Sequence, residues 1–221
     1  MIIKIGGKKL SKVKLVIFDL DGTLVNAYRA IEVSLNYTRA RFNLPNVGYR
    51  TIKASVGGGD KNFIAFFFPL NLVEKALAVY RKKHARELIN SVKLLPHSVS
   101  ILSYLKRNNY LIAIASNRPT FFTELILRHL KLNRFIDYVL CADKINKLKP
   151  DPQILFDVMK KLKCSPGESI YVGDMAIDVE TAKNAKIKAI AVRTGSSSAQ
   201  ELENKKPFFI LDNLKLLRDL L

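Results

Sequence analysis

Short apolar runs punctuate this chain, and three of them stop against polar clusters. Leu15-Val16-Ile17-Phe18 ends at Asp19, Leu111-Ile112-Ala113-Ile114-Ala115 at Ser116, and Ser169-Ile170-Tyr171-Val172 at Gly173-Asp174. Runs of this length bounded by turn-forming residues predict buried β-strands. Further strands are predicted at 138–141, 189–192 and 208–211. Helical periodicity is predicted over 120–131, with Thr120 as its cap, and over 152–163, with a proline in the first turn. Two more helices are expected at 177–185 and 212–221. Uncharged strands alternating with helices predict an α/β fold, a doubly wound parallel sheet covered on both faces. Ligands of such sheets bind beyond the carboxyl ends of the strands.

The alternation is interrupted once. About 90 residues separate the first strand from the strand at Leu111, whereas a simple βαβ unit takes about 30. The excess predicts an insert at 26–94 within a core of 1–25 and 95–221. Its pattern is helical over 27–42, 60–67 and 72–89. Phe63, Phe66 and Phe67, at i, i+3 and i+4, predict the insert's own core. An insert leaving the sheet directly after Asp21 sits over the strand ends as a lid. Its loop Gly57-Gly58-Gly59-Asp60-Lys61 is either a hinge-like turn or a substrate contact through Gly58, Gly59 and Lys61. Arg50 and Lys53, beside that loop, can meet a substrate carboxylate or second phosphate, or stand as solvated charge.

Composition narrows the classes. The chain has 221 residues, 48% of them hydrophobic, enough for a real core. No apolar run approaches the roughly 20 residues of a membrane helix. No apolar signal core follows the basic start at Lys8, Lys9, Lys12 and Lys14, and a cytoplasmic protein is expected. Cys141 and Cys164 form no C-x-x-C pair and read as reduced structural thiols. The net charge of +18 admits a polyanionic partner such as nucleic acid, or a lysine-rich surface. The basic residues are spread along the chain, and the aromatic-glycine pattern of an RNA-binding module is missing.

The polar clusters carry the chemistry. Asp19 and Asp21, two residues apart after a strand, can share one pocket, with Gly22 letting the backbone turn. Ser116-Asn117-Arg118, Lys147-Leu148-Lys149-Pro150-Asp151 and Gly173-Asp174-Met175-Ala176-Ile177-Asp178 follow later strands. Carboxylates gathered at one point repel one another unless a cation lies between them. Mg2+, a hard ion with oxygen ligands, suits Asp19, Asp174 and Asp178. A phosphate there finds donors in the Ser116 hydroxyl and the turn at Gly22, and a lysine to offset its charge. A carboxylate can serve as nucleophile by forming an aspartyl-phosphate.

The four clusters, in this order, resemble the signature of the haloacid dehalogenase-like phosphohydrolase superfamily. The resemblance covers nearly the whole chain and is closest to its phosphoglycolate-phosphatase-like and β-phosphoglucomutase-like groups, whose small helical cap the insert resembles. It implies a Rossmann-like core and assigns roles. Asp19 is the nucleophile and Asp21 the general acid and base. Asp19, Asp174 and the backbone carbonyl of Asp21 hold Mg2+, with Asp178 close by. Ser116 and Asn117 bind the phosphoryl oxygens. For the phosphate-binding lysine, the family's spacing to x-x-P-D selects Lys147, with Lys149 at the variable position. Where the family often has proline directly after the lysine, Leu148 follows Lys147. The expected function is a Mg2+-dependent phosphatase of a small phosphorylated metabolite. A phosphomutase is the alternative, and a nucleic-acid-end phosphatase or a non-catalytic binding protein are more distant ones. Asp21 disfavours dehalogenation, because the dehalogenases lack the second aspartate of the motif. His84, His97 and His129 are near no cluster in sequence and receive no chemistry.

Overall fold

The computed structural model describes residues 10–145 and 147–221; Lys8 and Lys9 lie outside them. Eight strands are present among these residues: β1 (Leu15–Phe18), β2 (Val25–Asn26), β3 (Lys93–Leu94), β4 (Leu111–Ser116), β5 (Tyr138–Cys141), β6 (Ser169–Gly173), β7 (Lys188–Val192) and β8 (Phe209–Leu211). The helices are α1 (Tyr28–Arg41), α2 (Tyr49–Ala54), α3 (Asp60–Phe67), α4 (Val73–Ser91), α5 (Ser98–Arg107), α6 (Thr120–His129), α7 (Gln153–Leu162), α8 (Ala176–Asn184) and α9 (Ala199–Asn204).

Six strands form one parallel sheet in the order β5-β4-β1-β6-β7-β8. The alternation of side chains along each strand divides the core. Val16, Phe18, Ile112, Ile114, Ile170 and Val172 face α5, α6 and the C-terminal segment. Leu15, Ile17, Ala113, Ala115, Tyr171 and Ala189 face α7 and α8. Both faces are therefore covered, as the uncharged strands predict. Chain order reverses about β1, since β4 and β5 lie on one side and β6 to β8 on the other. Neighbouring strands are about 4.8 Å apart, so the ends of β4, β1 and β6 converge within a span of about 10 Å.

Helices α1 to α4 lie between β2 and β3, which pair as a two-stranded antiparallel ribbon at the base of the insert. Tyr28, Ile31, Leu35, Ile64, Leu77 and Tyr80 belong to the insert's own hydrophobic cluster. Phe63 and Phe67 join it, but Phe66 is 69% exposed, in a T-shaped contact with Phe67, which corrects the three-phenylalanine expectation. The far end of α4 leaves that cluster: Leu88 is buried in the core beneath α6. Among the described residues no helix is long and apolar enough to cross a membrane.

Two other expectations change. Thr120 is the first helical residue of α6 rather than its cap; Asp143 Oδ1 accepts both its N–H (3.0 Å) and its hydroxyl (2.8 Å). The helix expected at 212–221 is a 3₁₀ turn, Leu214–Asp219. Leu214, Leu217 and Leu220 are all buried, and a spacing of three matches the 3₁₀ period rather than 3.6.

Lysine stands in the left-handed region just past four helices, at Lys131, Lys163, Lys186 and Lys206 (φ 48 to 58°). A β-carbon is strained there and glycine is not. Lys163→Gly is expected to raise stability by about 0.5–1 kcal/mol, after allowing for glycine's extra unfolded-state entropy and the lost charge at the helix end. A shift of the urea midpoint to higher concentration with an unchanged slope is the check.

Candidate active site

The convergence of β4, β1 and β6 places Ser116, Asp19 and Asp174 side by side. Asp19 continues the ladder for one residue, its N–H donating to the Val172 carbonyl (2.8 Å), which fixes its backbone against β6. Carboxylate oxygens of Asp19, Asp174 and Asp178 lie within 4.8 Å of one another, and all three residues are buried. Three glycines make this possible. A β-carbon at Gly22 or Gly195 would overlap the Asp174 carboxylate, and one at Gly173 would overlap Asp178. Gly22 also has φ +83°, which only glycine adopts readily. Its N–H donates to the Val25 carbonyl (2.7 Å), so the expected phosphate donor at Gly22 is already committed; the residue serves the turn and the space instead.

The donors around the carboxylates are specific. Asp174 accepts from the Thr23 hydroxyl (3.0 Å) and the Ser196 N–H (2.9 Å). Asp178 Oδ2 accepts from the Met175 N–H (3.0 Å) at the start of α8, while its Oδ1 faces Lys149. Lys149 Nζ donates to Asp19 (2.8 Å), Asp178 (2.6 Å) and the Tyr171 hydroxyl (3.0 Å), which uses all three of its protons. Burial alone would lower the Lys149 pKa, but Asp178 and Asp19 hold it well above its usual value. Burial, only partly offset by Lys149, pushes Asp19 up to about 7. Burial and the neighbouring Asp178 and Asp19 carboxylates push Asp174 well above its ordinary range. Carboxylates so placed favour a cation. An all-oxygen donor set suits a hard divalent ion, and the neighbouring Ser196 hydroxyl is buried with no partner among the described residues.

Lys147 is not in this cluster. Its side chain is 52% exposed and pairs with Asp151 (3.4 Å), whereas that of Lys149 is 3% exposed. The lysine among the carboxylates is Lys149, not the expected Lys147. The signal was present in the sequence: Lys149, not Lys147, is followed by proline. Asn117 fixes the position, its Oδ1 accepting the Lys149 N–H (2.9 Å) and its Nδ2 donating to the Gly57 carbonyl (2.7 Å). The Asn117 side chain therefore ties the lysine loop and the insert to β4 rather than pointing at a phosphate. Ser116 is buried in the cavity wall; its Oγ accepts the Arg118 N–H (3.2 Å), leaving its own proton without an acceptor among the described residues.

The carboxylate of Asp21 stands apart from the other three and is held by Arg118. The guanidinium binds it bidentately, through Nε (2.6 Å) and Nη2 (2.9 Å). Arg118 Nη1 lies 2.8 Å from Nε2 of His84, on α4 of the insert. A guanidinium only donates, so His84 Nε2 accepts and the ring proton is on Nδ1. Burial and Arg118 together hold the His84 pKa well below its usual value. Neither the Arg118 contact nor the place of His84 follows from sequence, because 34 residues separate the two and no local pattern links them.

A cavity of ≈ 630 Å³, its open mouth included, joins these groups. Asp19, Asp21, Ser116, Arg118 and Lys149 supply its polar side. Ile31, Val56, Phe63, Tyr80, Phe122 and Met175 form much of the apolar side. Gly57, Gly59 and Asp60 reach it from the insert loop, but Gly58 and Lys61 do not line it. Lys61 instead pairs with Glu74 at the surface (2.8 Å), which corrects its expected substrate contact. Arg50 and Lys53 are also outside the cavity wall; Lys53 lies over the Tyr28 ring.

Residues 16–192 match the family model described as haloacid dehalogenase-like hydrolase. The phosphoglycolate phosphatase of Pseudomonas syringae pv. tomato is 30% identical over 217 residues, covering 92% of this chain and 78% of that protein. The N-acetylmuramic acid 6-phosphate phosphatase of Pseudomonas putida is 27% identical over 188 residues, covering 83% and 84%. The crystal structure of a predicted phosphoglycolate phosphatase from Haemophilus somnus superposes with a TM-score of 0.88 at 22% identity, covering 94% of this chain and 97% of that one, which supports the fold alone.

Proposed function

The chain belongs to the haloacid dehalogenase-like hydrolase family, as an enzyme acting on phosphate monoesters, and on that premise we propose that it is a Mg2+-dependent phosphatase of a small phosphorylated acid that works through phosphorylated Asp19. The observation that carries the reading is the buried group of Asp19, Asp174 and Asp178 beside Lys149 at the ends of three adjacent strands. The names of two relatives support the substrate class: phosphoglycolate and N-acetylmuramic acid 6-phosphate differ in size, yet each joins a phosphate monoester to a carboxylic acid.

The steps assigned to the chain's own residues are these. The Ser116 hydroxyl donates to the phosphoryl oxygens, and Lys149, bound to Asp19 and Asp178, supplies positive charge beside them. An Asp19 oxygen attacks phosphorus as the ester oxygen departs, and Asp21, protonated on one oxygen once that oxygen is freed from Arg118, gives the departing oxygen that proton. Asp21 then takes a proton from water, which attacks the phosphorus bound to Asp19 and releases inorganic phosphate. Asp19, Asp174, the Asp21 carbonyl and Asp178 would hold Mg2+, which supplies positive charge against the transferring group and between the carboxylates. The insert at 26–94 serves as a cap over the core of 1–25 and 95–221, excluding water from the cavity.

Phosphate release from phosphorylated acids and an aryl phosphate tests this. Activity is expected with Mg2+, lost in excess chelator and restored by added Mg2+. Full activity in excess EDTA would sink the metal's part in the proposal.

A further inference from the structure

We infer that Arg118 is an anion subsite for the part of the substrate beyond the scissile bond, and that it takes a carboxylate. The inference rests on the phosphatase reading above. The Arg118 side chain is only 8% exposed and borders the cavity. Of its five N–H groups, two go to Asp21 and one to His84, so two have no partner among the described residues. No other lysine or arginine that lines the cavity has a donor to offer. Lys149 has no proton to spare, and Arg81, half exposed and bound to Asp60 (2.7 and 3.1 Å), does not line the cavity.

The surroundings of Arg118 select the ligand. Ile31, Phe63 and Phe122, which line the same cavity, offer an anion no hydrogen bond from their side chains. An anion desolvated there is costly unless a charged donor meets it. A planar guanidinium matches a carboxylate better than a lysine does, because its N–H groups point in fixed directions. His84 sets that orientation. Its ring stacks on Tyr80 (centroids 4.9 Å apart), meets Phe122 edge-on (5.0 Å), and places Nδ1 3.3 Å from the Ser34 hydroxyl. As an acceptor, His84 steers Arg118 without adding a donor of its own.

The same arginine holds Asp21. A substrate carboxylate on Arg118 therefore brings the ester oxygen, two bonds away in a glycolate skeleton, towards the group that protonates it. Binding of the acid and placement of the leaving oxygen become one event. A neutral leaving group gains neither.

The test compares phosphoglycolate with ethyl phosphate, which has a methyl group in place of the carboxylate. Wild-type kcat/KM is expected to favour phosphoglycolate by about 100-fold or more. Arg118→Met should bring the ratio near one, and Arg118→Lys should restore part of it. The ratio is the readout because both substitutions also disturb Asp21 and lower the absolute rates. Calorimetry with Mg2+ gives a second readout free of turnover: 3-phosphonopropionate should bind more tightly than propylphosphonate to wild type but not to Arg118→Met. If Arg118→Met fails to fold, Arg118→Lys, which keeps the charge on Asp21, carries both comparisons and should show a reduced preference. A wild-type ratio near one with both substrates turned over, or a ratio unchanged by the substitutions, would overturn the subsite while leaving the phosphatase intact. If neither these esters nor an aryl phosphate is hydrolysed, the phosphatase reading falls and the subsite falls with it.

Discussion

Asp19→Asn is expected to lower turnover of any phosphate monoester by at least about four orders of magnitude, with the fold preserved. Asparagine has nearly the same shape but is a far weaker nucleophile. The stability consequence has a sign of its own. Asp19, Asp174 and Asp178 are answered inside the cluster by one cation, Lys149, so an amide at position 19 relieves repulsion. The folded-state pKa of Asp19, about 7, is above its ordinary value of 3.8. Between those values the folded state binds more protons than the unfolded one, so the wild type loses stability as pH rises through the window. The amide of the variant does not titrate and carries no such dependence. Without divalent cation, the variant should gain on the wild type from about pH 4 to 7, reaching on the order of a few kcal/mol. Added Mg2+ should narrow the gap by stabilising the wild type more. Thermal melts across pH, with and without Mg2+, check both parts.

Lys149→Ala has the opposite sign. It removes the cation shared by Asp19 and Asp178 and leaves the carboxylates uncompensated in a buried site. A loss of about 3–5 kcal/mol is expected in the absence of metal. Turnover should fall by about 10²–10³, the size of effect expected for losing one preorganised group that stabilises the charge of the transferring phosphoryl. Lys147→Ala is the matched control. Its surface pair with Asp151 is exposed and weak, so stability should stay within about 0.5 kcal/mol and kcat should not change. If Lys147→Ala proved as damaging as Lys149→Ala, the assignment of the lysine would be wrong.

The contrast between these lysines shows how far local sequence reaches. Strands β1, β4 and β6 are legible because their runs are apolar and end at turn-forming residues. Asp19, Ser116 and Asp174 follow from them, since strand ends are adjacent in a parallel sheet. Lys149 depends on how a loop folds back, and Asn117 fixes that across 32 positions. Spacing to x-x-P-D points to Lys147, whereas the proline after Lys149 marks the loop more directly. Helix α2 has only one buried residue, Ile52, too few for a visible periodicity. The β2–β3 ribbon is two residues wide, below the length at which alternation can be read. The C-terminal leucines carry a period of three, which over so few residues is hard to tell from the 3.6 of an α-helix.

Arg118 and His84 were the least legible part of the site. Arg118 lies within a recognised cluster, yet its partners are on β1's turn and on the insert, distant in sequence. A histidine on an amphipathic helix ordinarily reads as part of a packed face, and His84 does pack, between Tyr80 and Phe122. Its ring nitrogen reaches the core only because α4 runs down against α6. That juxtaposition gives the insert a contact with the group that holds Asp21, beyond the covering role its length suggested.

In the proposed mechanism Asp19 itself carries the phosphoryl group. Borohydride added during turnover reduces an acyl phosphate to the alcohol, which converts a phosphorylated aspartate into homoserine. Mass spectrometry of the peptide containing residue 19 is expected to show homoserine at position 19, dependent on substrate and Mg2+. Unmodified Asp19 during active turnover, with homoserine found at another aspartate, would contradict the account.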